Sequence, residues 1–267
     1  MLITDTPLKT LQRVWKKFHL ASFPPLLWFA DVIMRTPIPW GMSYKGHTLY
    51  GLQLKRRLGY EEETALFYRK HLKAGEVIAD VGASNGLYTF LFADAVGPAG
   101  TVVAFEPDAT SFGWLSKGAR GFTNIRLEKR GVSDKKTQET LWSKKPGHGM
   151  SSTAYHAGST GTEISTTDLK SYEVEQNLQF DWVKIDIEGS ELKALRGMRK
   201  VRATVEFAPD NIRKVGMPPE EFLRELEQLG YSLHFISVTG EPLQKDHDFL
   251  IAEAKKIGVI NLYIEPR

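Results

Sequence analysis

The chain has 267 residues, 42% of them hydrophobic and 25% charged, which is enough for one large α/β domain with its own core. It contains no cysteine, which excludes a disulfide scaffold, thiol catalysis and cysteine-ligated zinc, and a reducing, cytoplasmic setting is the plain expectation. A formal net charge of +3 is too small to imply a nucleic-acid partner by itself.

The charge is unevenly placed. Residues 1–75 carry 12 Lys+Arg against 5 Asp+Glu, whereas the remainder carries 23 against 27. Such a basic portion is either a solvated helix face or a surface for an acidic partner or a membrane. Residues 1–59 are expected to form a helical appendage, a lid or a partner surface. Leu8, Leu11, Val14, Trp15 and Phe18 fall on one helical face, and Pro24, Pro25, Pro37 and Pro39 punctuate the stretch after it. No signal peptide is expected, because no basic region followed by an apolar run and a cleavage site is present. The most apolar early stretch, Phe23 to Met34, is about 12 residues long and contains Pro24, Pro25 and Asp31. It falls short of the roughly 20 residues that span a bilayer, so peripheral membrane contact is the most it offers.

Residues 60–267 read as the main domain. A helix is expected over Glu61 to Leu72, with acids in its first turn and bases near its end. Strands are expected at Val77–Val81, Thr101–Phe105, Ile125–Leu127, Trp182–Ile187, Ala203–Phe207, Tyr231–Val238, Phe249–Ala254 and Ile260–Ile264. Helical patterns run from Leu87 to Val96, from Ala109 to Arg120, around Leu192, Leu195 and Met198, and after Pro218-Pro219. Residues 135–165 are polar and glycine-containing and read as a mobile excursion or an edge hairpin. The alternation predicts an α/β fold, a Rossmann-like, doubly wound and mostly parallel sheet with an antiparallel edge.

The first strand ends in Asp80-Val81-Gly82-Ala83-Ser84-Asn85-Gly86. Glycines at a strand-to-helix turn let a ligand approach the backbone closely. Glu106, about 20 residues beyond Gly86 at the end of the second strand, can accept both hydroxyls of a ribose. Dinucleotides and S-adenosylmethionine share that logic. A dinucleotide needs G-x-G-x-x-G to bring N–H groups to its pyrophosphate, and Ser84 stands where the middle glycine belongs. Asp80 would also repel a pyrophosphate, whereas carboxylates suit the ammonium and sulfonium of S-adenosylmethionine. S-adenosylmethionine is therefore the favoured ligand.

The second informative stretch is Lys184-Ile-Asp186-Ile-Glu188-Gly-Ser-Glu191. Asp186 and Glu188 leave a core strand in the crevice where such sheets bind ligands, and charge there calls for a cationic ligand or base chemistry. Glu191 reads as a helix cap instead. No metal motif is found; Asp186 with Glu188 could contribute to a carboxylate site for a hard ion, but a cofactor pocket explains two acids there more simply.

Asp80-Val-Gly-Ala-Ser-Asn-Gly86, Phe105-Glu-Pro107, Gly131-Val-Ser-Asp134, Thr167-Asp-Leu169 and Lys184-Ile-Asp-Ile-Glu-Gly-Ser-Glu-Leu192 with Leu195-Arg-Gly197 occur in that order. Over residues 60–238 the chain resembles the FkbM family of S-adenosylmethionine-dependent methyltransferases. The resemblance implies a class I methyltransferase fold. It implies that Asp80, Gly82, Ala83, Ser84, Asn85 and Gly86 shape the methionine pocket and that Glu106 binds the ribose. Ser133 and Asp134 would lie by the adenine, and Asp186 near the amino-acid end or the reacting methyl. Asp186, Glu188 and Glu206 are carried over as catalytic candidates. The family points to O-methylation of a hydroxyl on a sugar or other small metabolite. His148, on the glycine-rich excursion, is a further conceivable base. An RNA ribose methyltransferase and a non-catalytic cofactor-binding scaffold are the alternatives, with nucleic acid the less expected partner.

Overall fold

The computed structural model describes residues 62–143, 151–153 and 158–267. The expected appendage over residues 1–59 and His148 lie outside them.

Among the described residues the central sheet has eight strands. In chain order these are β1 Val77–Val81, β2 Thr101–Phe105, β3 Ile125–Glu128, β8 Trp182–Ile185, β9 Arg202–Phe207, β10 Tyr231–Ile236, β11 Pro242–Gln244 and β12 Ile260–Pro266. Their spatial order is β11-β10-β12-β9-β8-β1-β2-β3. Strands β3, β2, β1, β8 and β9 are parallel, while β12 runs antiparallel to both β9 and β10. The chain moves outward from β1 through β2 to β3, then returns to the other flank of β1 at β8. That reversal between β1 and β8 opens a crevice at the carboxyl ends of the strands, where open α/β sheets bind ligands.

Each face of the sheet has its own core. Odd-numbered residues such as Ala79, Val81, Val103, Val183, Ile185, Val205 and Phe207 join one cluster with helices α5 Glu191–Arg196 and α7 Pro219–Gln228. Even-numbered Ile78, Val102 and Trp182 face the other way, with Phe67 and Tyr68 of α1 Glu62–His71 and Tyr88, Leu91 and Phe92 of α2 Leu87–Val96. Period-two alternation in strands covered on both faces gives two apolar surfaces, hence the nearly continuous apolar runs in the sequence. The remaining helices are α3 Ala109–Gly118, α4 Leu169–Gln176, α6 Pro209–Lys214 and α8 His247–Ile257. Among the described residues no helix is long and apolar enough to cross a membrane.

Two expectations are corrected. Phe249 to Ala254, expected as a strand, lies within α8. Asp246 caps that helix by accepting from the Phe249 N–H at 2.8 Å, Asp248 sits in its first turn, and Lys255 and Lys256 sit in its last. These end signals outweigh the short apolar run Phe249-Leu250-Ile251-Ala252, which by itself fits either state. The polar segment 135–165 is not an edge hairpin of the main sheet. Strands β4 Gly131–Val132, β5 Thr137–Ser143, β6 Ser151–Ser152 and β7 Thr160–Thr167 form a second sheet in the order β4-β7-β5-β6. Threonine-rich strands with one solvated face look like loop by composition, because β5 and β7 have few apolar residues, chiefly Leu141, Trp142 and Ile164.

Candidate active site

The loop after β1 is built by left-handed backbone. Gly82, Ser84 and Gly86 have φ of 79°, 50° and 94°, and the Gly86 N–H closes the turn onto the Ala83 carbonyl at 2.8 Å. The N–H groups of Gly82 and Ala83 continue the ladder to the Phe105 carbonyl, at 3.1 and 3.0 Å, so the loop stays attached to β2. Beside it, Glu106 is 7% exposed. Its two carboxylate oxygens accept from the Ser84 N–H at 2.7 Å and the Asp108 N–H at 2.8 Å, tying the first loop to the second. Burial nevertheless pushes its pKa up to about 7.

Beyond β8 the backbone turns sharply through Glu188 (φ 56°) and Gly189 (φ 98°). A non-glycine residue held in this region costs on the order of 1 kcal/mol or more and persists where its surroundings enforce it. Here Glu191 does so. Its Oε1 accepts from the N–H groups of Ile187 at 3.3 Å and Gly189 at 2.9 Å, a loop-shaping role close to the expected cap. Glu188 accepts from Asn211 Nδ2 of α6. Burial first, then the Asp186 and Glu191 carboxylates, raises the Glu188 pKa to about 7.

Strand register explains how the acids converge. Asp80, Lys184 and Thr204 are opposite one another across β1, β8 and β9. Residues opposite in register share a face, and residues two apart along a strand share it too. Asp186 and Glu206 therefore follow Lys184 and Thr204 on that face, one step nearer the crevice. Carboxylate oxygens of Asp186, Glu188 and Glu206 all lie within 4.8 Å of one another.

The crevice is walled by Gly82 and Ser84, by Phe105 to Asp108 and Ser111, by Gly131 and Val132, and by Asp186 to Glu188 and Ser190. Leu141, Ile164, Ser152 and Thr153 of the second sheet complete it, so the polar excursion is a wall of the site. Ser152 Oγ donates to the Glu188 carbonyl at 2.7 Å, and the Thr153 and Ser190 hydroxyls are bonded at 2.6 Å. Sequence reasoning missed this wall. A hint was available in the alternating threonines of residues 160–167.

The expected residues fall into distinct places. Gly82, Ser84, Glu106, Asp186 and Glu188 line the crevice, and Ala83, Asn85 and Gly86 form the turn behind it. Asp80 is fully buried behind the loop and accepts from Thr89 Oγ1 at 2.5 Å; burial raises its pKa. Gly131 and Val132, not Ser133 and Asp134, supply the wall from that segment. Ser133 is buried, its N–H bonded to the Thr167 carbonyl at 2.9 Å, and a Cβ on Gly197 would stand 2.2 Å from its carbonyl oxygen. The Gly131–Asp134, Thr167–Leu169 and Leu195–Gly197 motifs thus meet at one tight packing node. Lys184, not singled out from sequence as a site residue, joins Asp186 at 3.0 Å and approaches Asp80 at 3.7 Å.

The crevice suits S-adenosylmethionine. Four carboxylates, Glu106, Asp108, Asp186 and Glu188, stand on its wall, and among the described residues that line it there is no lysine or arginine. Such a wall favours a ligand that carries an ammonium and a sulfonium. Phe105, Pro107, Val132, Leu141 and Ile164 offer an apolar slot of the kind an adenine needs. A doubly wound sheet with this acid-lined switch-point crevice defines a class I S-adenosylmethionine-dependent methyltransferase. The methyltransferase FkbM domain model matches residues 80–233, more than half of the chain, and the chain belongs to that family. Solved structures with a similar fold include two methyltransferases and a fibrillarin. An S-adenosylmethionine-dependent methyltransferase of Aquifex aeolicus shares 15% identity over 80% of this chain and 97% of that one, at a TM-score of 0.41. The O-methyltransferase TM0748 of Thermotoga maritima shares 11% over 78% and 66%, at 0.43. Fibrillarin of Aeropyrum pernix, solved with S-adenosylmethionine bound, shares 11% over 76% and 73%, at 0.46. No curated protein matches the chain.

Proposed function

We propose that the protein transfers the methyl group of S-adenosylmethionine to a hydroxyl of a sugar or other small metabolite. The bound donor supplies an electrophilic methyl on a sulfonium. The chain supplies orientation and a base.

The observation that carries this reading is Glu188. It stands on the crevice wall beside Asp186 and Glu206, is oriented by Asn211, and has a pKa raised to about 7. A carboxylate with that proton affinity can remove a hydroxyl proton near neutral pH, provided the hydroxyl oxygen lies within hydrogen-bond reach. In this assignment the Asp80–Gly86 loop receives the methionine part and Glu106 the ribose hydroxyls. Asp186 faces the amino-acid end or the methyl, and the apolar slot takes the adenine with Ser133 and Asp134 behind it. Glu206 is the alternative base. Choice of acceptor is assigned to the N-terminal appendage expected over residues 1–59 and to the tail beyond about residue 240.

The same acids argue against a polyphosphate acceptor, because they would repel phosphates close to the reacting centre. A radiolabelled-methyl assay over sugars, hydroxylated metabolites and RNA tests the proposal. Label in a sugar or metabolite is expected. Salt-sensitive labelling of RNA alone would replace it with the ribose methyltransferase reading. Donor binding with no transfer to any acceptor would favour a scaffold.

A further inference from the structure

We propose that Lys184 is a positioning residue for the donor site, acting through Asp186: its ammonium holds the Asp186 carboxylate on the crevice wall and balances the charge of Asp80 behind it. The proposal rests on the reading that this crevice holds S-adenosylmethionine.

Lys184 occupies a strand whose other residues, Trp182, Val183 and Ile185, are fully apolar core, and it is itself only 3% exposed. Burying an ammonium there costs several kcal/mol unless it is well paired, and a leucine or methionine would fill the space without that cost. The pairing is specific. Lys184 Nζ donates to Asp186 Oδ2 at 3.0 Å, lies 3.7 Å from Asp80 Oδ1, and stands 5.0 Å from the centre of the Tyr88 ring. Asp80 faces it from β1, Tyr88 from α2, and Thr204 from β9. The other charged groups close to Asp186 include further acids, Glu188, Glu191 and Glu206. Lys184 is thus the cation that fixes which way Asp186 points, and Asp186, unlike Lys184, lines the crevice.

The role is one of orientation, since Lys184 does not reach the crevice. The spacing Lys184-x-Asp186 is what places both on one face of the strand.

The test is a double-mutant cycle on the full chain, read as calorimetric affinity for S-adenosylhomocysteine, the demethylated product. Lys184→Met and Asp186→Asn are each expected to weaken binding about tenfold, as for loss of a charged hydrogen bond. The double variant should bind no more than about twofold worse than Asp186→Asn alone, because both changes remove one arrangement. Multiplying effects, or unchanged affinity in Lys184→Met, would overturn the role. Should Lys184→Met not fold, the same cycle in the Asp80→Asn background decides, since that change removes the unpaired buried charge. Failure of the wild-type chain to bind overturns the donor-site reading itself, whereas binding with multiplying effects overturns only the role of Lys184.

Discussion

Gly82 and Asp186 meet backbone to backbone: a Cβ on Gly82 would stand 1.9 Å from the Asp186 carbonyl oxygen. The two loops that define the site are therefore closed against each other by the absence of a side chain. Gly82 also has φ of 79°, a conformation alanine adopts only at a cost. Gly82→Ala is expected to lose about 2–4 kcal/mol of stability and more than about a hundredfold in donor affinity, as the β8 loop is pushed out. Thermal unfolding and calorimetry check both.

Glu106 accepts one backbone N–H from each of two loops and has further lone pairs for a ribose. Glu106→Gln replaces a charged acceptor with a neutral one and turns half of it into a donor. Hydrogen bonds to charged groups are worth about 1.5–3 kcal/mol, so the donor KM should rise about 10- to 100-fold. A change below threefold in steady-state KM would deny Glu106 that contact.

Glu188→Gln tests the base. It keeps the shape of the side chain and its reach to Asn211 but removes proton acceptance. Turnover should fall about 10²- to 10⁴-fold. Donor affinity should stay within about threefold. The rise in kcat through pH 7 expected of the wild type should be absent from the variant's pH–rate profile, and its survival would transfer the role to Glu206.

Glu106, Glu188 and Glu191 all have pKa values raised from 4.5 to about 7 by burial. The folded chain without donor thus holds protons that the unfolded chain releases. Their contribution to stability is full below about pH 4.5 and is lost as pH rises to about 7, so the melting temperature should fall across that window. A ligand with cationic centres favours the ionised acids. Donor affinity should therefore rise through the same window with release of protons, measurable by calorimetry in buffers of different ionisation heat.

The second sheet is tied to the β8 loop by the hydroxyls of Ser152 and Thr153. Replacing both, as Ser152→Ala with Thr153→Val, removes about 0.5–1.5 kcal/mol per bond. Hydrogen exchange in β5 and β7 should accelerate while the main sheet is unchanged, and donor affinity should weaken several-fold.

Much was determined by the sequence alone. Apolar runs located β1, β2, β8 and β9 within a residue or two, with glycine turns marking the ends of β1 and β8, because a strand buried on both faces admits few other residues. The donor class was legible as well, since Gly82-Ala-Ser-Asn-Gly86 lacks the dinucleotide glycine pattern while Glu106 and Asp186 bring carboxylates to the same strand ends. The error at α8 came from a run of four apolar residues, in which the period of a helix and that of a strand are not distinguishable. Only the tertiary structure decided the rest. Chain order does not tell which strands are neighbours, so the row Asp80–Lys184–Thr204, and with it the partners of Lys184, exists only once β8 lies between β1 and β9. The wall formed by the second sheet was hidden for a related reason. Its strands bury one face against the site and leave the other solvated, and a sequence read alone records their polarity without the surface they cover.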